Sequence, residues 1–309
     1  MASTADIGLN SDLSEESVHD PEWLLLEDGP LIAVNKPAGI LTEGIPSGEQ
    51  TMVGLVKAWL ADRYQKPGNV YLGIPHRLDR ATSGTMVFTR NSKAAARVAE
   101  QFEKRQVSKT YWALLEKRPE NDSGLLVDWL LKVPDQAISE VVSEGTAKAK
   151  EARLEYRVLR EFKGRWLVEV LLLTGRMHQI RVQFASRGCP VVGDTKYGGS
   201  EWLGAGSMIG ETAPAEIPAP AEVLASAEIP VVVPDEATVP DETVSAESGS
   251  ASNAAMALVR QPASDIRIAL HARSLSLLHP IRYDKLTLET PVPAWWDLSD
   301  ESFYAKLRS

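Results

Sequence analysis

Residues 73–84 read Gly-Ile-Pro-His-Arg-Leu-Asp-Arg-Ala-Thr-Ser-Gly and lead directly into a strand-like run at residues 85–89. Two arginines, a histidine and an aspartate surround one leucine, so the segment is a poor core strand and is better suited to a loop of a functional site. The arginines on either side of Asp79 favour its ionised form, which a nucleophile or a base requires. The alternative is a charged turn in which Thr82 and Ser83 bond to the local backbone, and spacing alone leaves it open.

A second polar cluster, residues 174–181, reads Thr-Gly-Arg-Met-His-Gln-Ile-Arg and lies where a predicted strand ends and a helix begins. Polar groups at the start of a helix can reach an anion with the help of free backbone N–H groups. Arg181 lies one turn inside the predicted helix, where it could pair with a carboxylate from the first cluster. Helix capping by His178 and Gln179 is the competing interpretation.

The remaining pattern predicts many strands and few helices. Helices are predicted at residues 51–64, 93–104 and 178–186, the first two because apolar residues recur at helical spacing. Strands are predicted at residues 23–27, 31–35, 85–89, 108–115, 152–159, 166–173, 266–277 and 285–288. Since strands dominate and no regular βαβ repeat occurs, the order of elements favours an α+β fold over a doubly wound sheet.

Composition excludes several classes of protein. The chain has 309 residues, of which 44% are apolar and 24% charged, as in soluble globular proteins. No apolar run approaches the roughly 20 residues of a membrane-spanning helix, and the N-terminus lacks the features of a signal peptide. The single cysteine, Cys189, excludes an intramolecular disulfide and a cysteine-based zinc site, and the five histidines show no metal-ligand spacing. We therefore expect a cytoplasmic protein without a metal.

The net charge of −9 is unevenly distributed. Residues 1–29 carry eight acids and no base, residues 201–262 carry ten acids and one base, and the remainder carries a net charge of +8. Residues 199–262 are rich in Ala, Pro, Glu and Ser, which predicts a disordered acidic insertion, and residues 1–21 are predicted to be a disordered acidic tail. The folded domain is thus expected at residues 22–309 with this interruption. Its basic surface is compatible with a polyanionic ligand or with an ordinary mixed surface.

Five motifs in the same order resemble those of RluA-type RNA pseudouridine synthases. They are Asn35-Lys36-Pro37-Ala38-Gly39, the His-Arg-Leu-Asp-Arg-x-Thr-Ser-Gly stretch at 76–84, Lys109-Thr-Tyr111-Trp-Ala113, the cluster at 174–181 with Gly-Asp-x-x-Tyr-Gly at 193–198, and Leu-His-Ala at 270–272 with His-Pro at 279–280. The resemblance spans residues 22–198 and 266–296. It implies a pseudouridine synthase fold, in which a mixed, mostly antiparallel central sheet is flanked by helices and loops. It also implies isomerisation of specific uridines in rRNA or tRNA without a cofactor.

The resemblance further implies roles for individual residues. Asp79 matches the catalytic aspartate, Tyr111 matches the tyrosine that stacks on the target base and is proposed to take a proton, and Arg181 matches the basic residue that ion-pairs with the aspartate. Contacts with the substrate are implied for His76, Arg77, Arg80, Arg176 and His178. Gln183 stands where the family often has a histidine, and we interpret it as a helix contact.

Target selection is expected to rest on the catalytic domain and its loops. About 22 residues precede the first predicted strand, too few for the S4 RNA-binding domain that many relatives carry. We expect RNA as the partner and a monomeric chain. The sequence does not distinguish which RNA or which uridine is modified.

Two other functions stay open at this stage. The first is an RNA-binding protein that keeps the fold but has lost turnover. The second is a hydrolase that uses Asp79 on a nucleoside or glycoside, although glycosidases usually need a second carboxylate. Asp194 is the one acid near the two clusters that could supply it.

Overall fold

The computed structural model describes residues 20–44, 49–134, 136–201, 267–296 and 298. The predicted acidic tail and insertion therefore lie outside the described residues, except for residues 20–21 and 199–201. Within the described part of the chain, no helix has the length and apolar character needed to cross a membrane.

Ten strands and three α-helices make up the described fold. The strands are β1 (Leu24–Asp28), β2 (Leu31–Lys36), β3 (Ser83–Thr89), β4 (Ser108–Leu115), β5 (Ser123–Lys132), β6 (Ser139–Val142), β7 (Lys150–Phe162), β8 (Arg165–Leu172), β9 (Leu270–Leu278) and β10 (Lys285–Glu289). The helices are α1 (Met52–Arg63), α2 (Ser92–Glu103) and α3 (Gln179–Ala185), and short 3₁₀ turns occur at Thr195–Tyr197 and Ala294–Trp296.

All ten strands belong to one sheet, in the order β1-β2-β3-β9-β4-β8-β7-β5-β6, with β10 paired to β9 outside this path. Among the described strands, β3 and β9 form the one parallel pair, and the other pairings are antiparallel. The predicted α+β class with a mixed, mostly antiparallel sheet is confirmed.

A glycine and a buried histidine lie where β3 and β9 pair in parallel. Gly84 has a φ of +117°, and a Cβ on it would lie 2.3 Å from the carbonyl oxygen of Ala272, so a larger residue would separate the two strands. His271 on β9 is fully buried, and its Nδ1 lies 2.9 Å from the Ser83 hydroxyl on β3. These contacts hold β3 in place at the end of the loop that carries Asp79.

Hydrophobic cores lie on both faces of the sheet around β2. Ile32 and Val34 pack in the core that includes α1, while Leu31 and Ala33 pack in the core that includes Val98 of α2. The alternation follows from the period of two residues along a strand. Each fully buried aliphatic side chain contributes about 1.5–3 kcal/mol to folding.

Most predicted elements agree with the structure to within a few residues. The side chains of Thr51 and Asn91 cap α1 and α2 by accepting hydrogen bonds from backbone N–H groups. Two strands, β5 and β6, were missed. The run Leu125-Leu126-Val127-Asp128-Trp129-Leu130-Leu131 is apolar on both sides, so it does not show the alternation that marks a half-buried strand.

Candidate active site

The two polar clusters line one cavity of about 880 Å³. The loop at residues 74–82 forms one wall and the turn at residues 172–181 forms another, while Lys109 and Tyr111 of β4 and the end of α2 complete it. The expectation that the clusters meet is therefore confirmed. Of the eight residues predicted to form the site, Arg80 alone does not line this cavity.

Asp79 presents its carboxylate to the cavity with 31% of the side chain exposed. Its Oδ2 lies 3.5 Å from Nη1 of Arg181 and 3.7 Å from Nε2 of His178. The predicted pairing of Asp79 with Arg181 is thus present, as an ion pair slightly longer than a good hydrogen bond.

The closer partner of Arg181 is Asp194. Arg181 Nε donates to Asp194 Oδ2 at 2.6 Å, and its Nη2 donates to Oδ1 at 2.7 Å, in the two-pronged geometry typical of strong guanidinium–carboxylate pairs. Arg181 is 4% exposed and Asp194 is 1% exposed. Asp194 therefore fixes two of the guanidinium nitrogens and leaves the third to face Asp79.

Tyr111 forms part of the cavity wall and is 9% exposed. Burial, together with the charge of Asp79, raises the pKa of its hydroxyl well above the usual range. Its side chain is therefore an uncharged phenol at neutral pH, which suits stacking against a base or hydrogen-bond donation.

His76 is tied into the fold by its ring. Its Nε2 accepts a hydrogen bond from the backbone N–H of Val87 at 3.0 Å, and its ring stacks on Phe102 at 4.6 Å between centroids. Burial, with a smaller effect of the Lys109 charge, lowers the pKa of His76 to about 3. The neutral ring therefore holds the loop against β3, and one edge of it lines the cavity.

His178 lies at the start of α3 with a left-handed φ of 55°, and its side chain does not cap the helix. Its Nδ1 lies 2.9 Å from the hydroxyl of Tyr197, which accepts a hydrogen bond from the Ser139 N–H. Burial lowers the pKa of His178 although the charge of Asp79 opposes the shift, so the ring is neutral at neutral pH. The capping interpretation is wrong for His178, whose ring faces the cavity instead.

The part of the chain that forms most of this cavity matches a known protein family. The family model for RNA pseudouridylate synthase matches residues 30–186, which include both clusters up to the end of α3. This chain belongs to the RluA-type RNA pseudouridine synthase family.

Relatives within the family are moderately similar to the chain. Ribosomal large subunit pseudouridine synthase C of Rickettsia bellii is 32% identical over 59% of this chain, and the match covers 58% of that protein. An uncharacterized RNA pseudouridine synthase of Zymomonas mobilis is 35% identical over 57% of this chain and 78% of its own length. The human RNA pseudouridylate synthase domain containing 4 has the same fold, with a TM-score of 0.58 at 22% identity over 92% of each chain.

The lysine of the Asn35-Lys36-Pro37 motif supports the loop that carries Asp79. Lys36 is fully buried, and its Nζ donates to the carbonyl oxygens of Ile40 at 2.7 Å and Arg80 at 3.2 Å. Burial lowers the pKa of Lys36 to about 7, while the charge of Asp79 opposes that shift. Sequence reasoning quoted this lysine as part of a motif but assigned it no role.

Two further bonds anchor the same loop. Leu78, the single leucine of the cluster, is buried, and both its N–H and its carbonyl bond to the Thr42 hydroxyl. Arg80 Nε donates to the carbonyl oxygen of Gly39 at 3.0 Å, and Arg80 Nη1 lies 3.2 Å from Glu49. Arg80 therefore binds the loop to its support, and its expected contact with the substrate stays a prediction.

The remaining predicted residues divide between the cavity edge and the helix. Arg77 is 67% exposed and pairs with Glu43 at the cavity edge. Gln179 accepts hydrogen bonds from the Thr174 hydroxyl at 2.7 Å and the Arg176 N–H at 3.0 Å, which fixes the turn before α3. Gln183 donates to Asp128 of β5 at 2.7 Å, so its interpretation as a helix contact is confirmed.

Proposed function

We propose that this chain is an RNA pseudouridine synthase that isomerises specific uridines in rRNA or tRNA. The observation that carries the proposal is the carboxylate of Asp79, which faces the cavity beside the third guanidinium nitrogen of Arg181, in a pocket walled by the buried Tyr111. The chain spans 58% of the length of the Rickettsia bellii relative, whose name supports a ribosomal target.

The chemistry fits these residues without a co-reactant. Conversion of uridine to pseudouridine breaks the bond between N1 and C1′, turns the base, and forms the bond between C5 and C1′. An ionised carboxylate can assist by attacking the base, by attacking the sugar, or by abstracting a sugar proton, and each route needs the carboxylate held at the reacting ring. Arg181 keeps Asp79 in place, because Asp194 holds the guanidinium and leaves one nitrogen directed at Asp79.

The target uridine has to leave its stack to reach Asp79. Extrusion costs a few kcal/mol, which stacking on an aromatic side chain offsets by about 1–3 kcal/mol. Tyr111 supplies that surface, as an uncharged phenol in the wall of the cavity. His178 and Arg176 border the same cavity and are proposed to contact the substrate, as are His76 and Arg77.

The two alternative functions are less well supported. A protein that only binds RNA gains nothing from a carboxylate directed into the cavity, where it would repel phosphates. A hydrolase that uses Asp194 as its second carboxylate is disfavoured, because both oxygens of Asp194 bond to Arg181. The cytoplasmic location, the monomeric state and the lack of a cofactor stay predictions.

The test is to incubate the purified chain with total RNA from cells that lack its gene, and to map pseudouridine and measure released uracil. We expect pseudouridine at defined sites without uracil release. Asp79→Asn is nearly isosteric but a far poorer nucleophile and base, so it should keep the melting temperature and RNA affinity and lose isomerisation. Activity within about tenfold of the wild type in Asp79→Asn, or uracil as the product, would overturn the proposal.

A further inference from the structure

Three basic side chains border the cavity. Arg105 follows the end of α2, Lys109 lies on β4, and Arg176 lies in the turn before α3. Lys109 Nζ lies over this turn, because a Cβ built on Gly175 would be 3.6 Å from it. Three separate segments of the chain therefore bring their positive charges to one place.

The three charges repel one another. Burial lowers the pKa of Lys109, and the charges of Arg105 and Arg176 lower it further. The pKa of Arg176 is likewise lowered by burial and by Arg105, while Glu151 opposes the shift. Such a cluster is unfavourable by itself and becomes favourable when an anion lies between its members.

Carboxylates of the protein do not neutralise the cluster. Within the described part of the chain, no ion pair joins Arg105, Lys109 or Arg176 to an acid. Glu103 lines the same cavity, and the Glu151 carboxylate lies 3.7 Å from Arg153. Arg176 Nε donates to the Glu151 carbonyl oxygen at 2.9 Å, which fixes the guanidinium and leaves its terminal nitrogens available to a ligand.

Arg105 occupies a backbone position that usually belongs to glycine. Its φ is +56°, its N–H donates to the carbonyl oxygen of Phe102, and the next N–H, of Gln106, donates to that of Gln101. These two bonds form the motif in which helices commonly end on a left-handed glycine. Arginine at this position is strained, and strain that a protein retains often marks a functional site.

We propose that Arg105, Lys109 and Arg176 form a subsite for a backbone phosphate of the RNA next to the target nucleotide. The inference rests on the proposed function, because that function brings RNA to the cavity. Lys109 and Tyr111 are two residues apart on β4, so their side chains point to the same face. A base stacked on Tyr111 would place a neighbouring phosphate near Lys109, at a separation of about 7 Å along the strand.

The test measures binding of a fluorescein-labelled single-stranded oligouridylate over a series of salt concentrations. Each phosphate contact with a single strand contributes about 0.7 to the slope of log affinity against log salt. Arg105→Gly and Lys109→Gln should each lower that slope by about 0.7, which corresponds to about fivefold weaker binding at 0.1 M salt. The two affinities should converge with that of the wild type as the salt concentration approaches 1 M.

Arg105→Gly separates binding from folding, because glycine relieves the left-handed backbone and should leave the melting temperature unchanged or raised. Lys148→Gly is the matched control. Lys148 is also basic and exposed, has a φ of +66°, and does not line the cavity. It should keep the wild-type slope.

Wild-type slopes in Arg105→Gly and Lys109→Gln, or an equal loss in Lys148→Gly, would overturn the phosphate subsite. The result is independent of isomerisation, because the assay scores binding. If the wild type forms no pseudouridine but the two variants still lose slope, the proposed function fails while the subsite stands. If the wild type is active and the slopes do not change, the subsite alone is wrong.

Discussion

Replacement of Asp194 by asparagine tests whether this residue positions Arg181 against Asp79. Asparagine keeps the size of the side chain, but its amide group places N–H donors where one carboxylate oxygen now accepts from the guanidinium. Arg181 would keep one of its two short bonds to residue 194 and would lose the charge that balances it. Its nearest remaining carboxylate is that of Asp79, at 3.5 Å.

The burial of the pair sets the magnitude of the effect. Arg181 and Asp194 are 4% and 1% exposed, so water cannot replace the lost bonds. Removal of one partner of a buried ion pair lowers the free energy of unfolding by about 3–5 kcal/mol. At about 2–4 °C per kcal/mol for a domain of this size, the melting temperature should fall by roughly 6–20 °C. The guanidinium would also move toward Asp79, and a displacement of about 1 Å in a catalytic group can lower kcat about 100-fold.

The assay combines thermal melting with measurement of kcat and KM on an RNA that the wild type modifies. The control variant is Asp122→Asn. Asp122 also pairs with an arginine, Arg118, but its side chain is 74% exposed, so its loss should cost at most about 1 kcal/mol. We expect Asp194→Asn to have a much lower melting temperature than this control. We also expect its kcat to fall by a larger factor than its KM changes. Equal melting of the two variants would refute the energetic argument, and a wild-type kcat in Asp194→Asn would refute the positioning role.

Two more predictions concern pH and the acidic insertion. The folded-state pKa of His76 is about 3, against 6.5 for the free side chain, so the unfolded state takes up a proton below pH 6.5 that the folded state does not. The free energy of unfolding therefore falls as the pH drops toward 3. Urea unfolding at pH 6.5 and pH 4 should show that His76→Gln loses about 3 kcal/mol less of this free energy than the wild type does. An equal loss in the two proteins would contradict the prediction. Deletion of residues 201–261 should leave a folded, active enzyme, because Ser200 and Arg267 both lie beside Gly193 and a short connection can join them. Circular dichroism measures folding and a turnover assay measures activity. Loss of folding, or of most activity, would show that the insertion is required.

The sequence predicted the parts of the fold and site that depend on local patterns. Apolar spacing located α1 and α2, and the two polar clusters were recognisable because they interrupt apolar runs. The strands β5 and β6 were missed because their apolar residues do not alternate. The family motif assigned Arg80 to the substrate, and its hydrogen bond to the carbonyl oxygen of Gly39 had no local signature.

The residues that sequence reasoning missed have partners far away in the chain. Lys36 bonds to the carbonyl of Arg80, and Asp194 accepts from Arg181, which had been predicted to pair with Asp79 alone. A buried lysine held by backbone carbonyls has no local signature, since any residue can offer a carbonyl. Arg105 was missed for a different reason. Helices that end in this motif usually have glycine at its position, and the strain of an arginine there is evident only from the backbone angle.

The missed residues also account for the groups that surround the carboxylate of Asp79. Asp79 and Asp194 supply two carboxylates, and Arg181 and Lys36 supply two basic groups from separate segments of the fold. The charge of Asp79 raises the pKa of Lys36 against the effect of burial, which by itself favours the neutral amine. Two basic groups therefore act on Asp79, one fixed by the Asp194 carboxylate and the other by backbone carbonyls. That arrangement keeps the carboxylate directed into the cavity without a short hydrogen bond that would weaken it as a nucleophile or base.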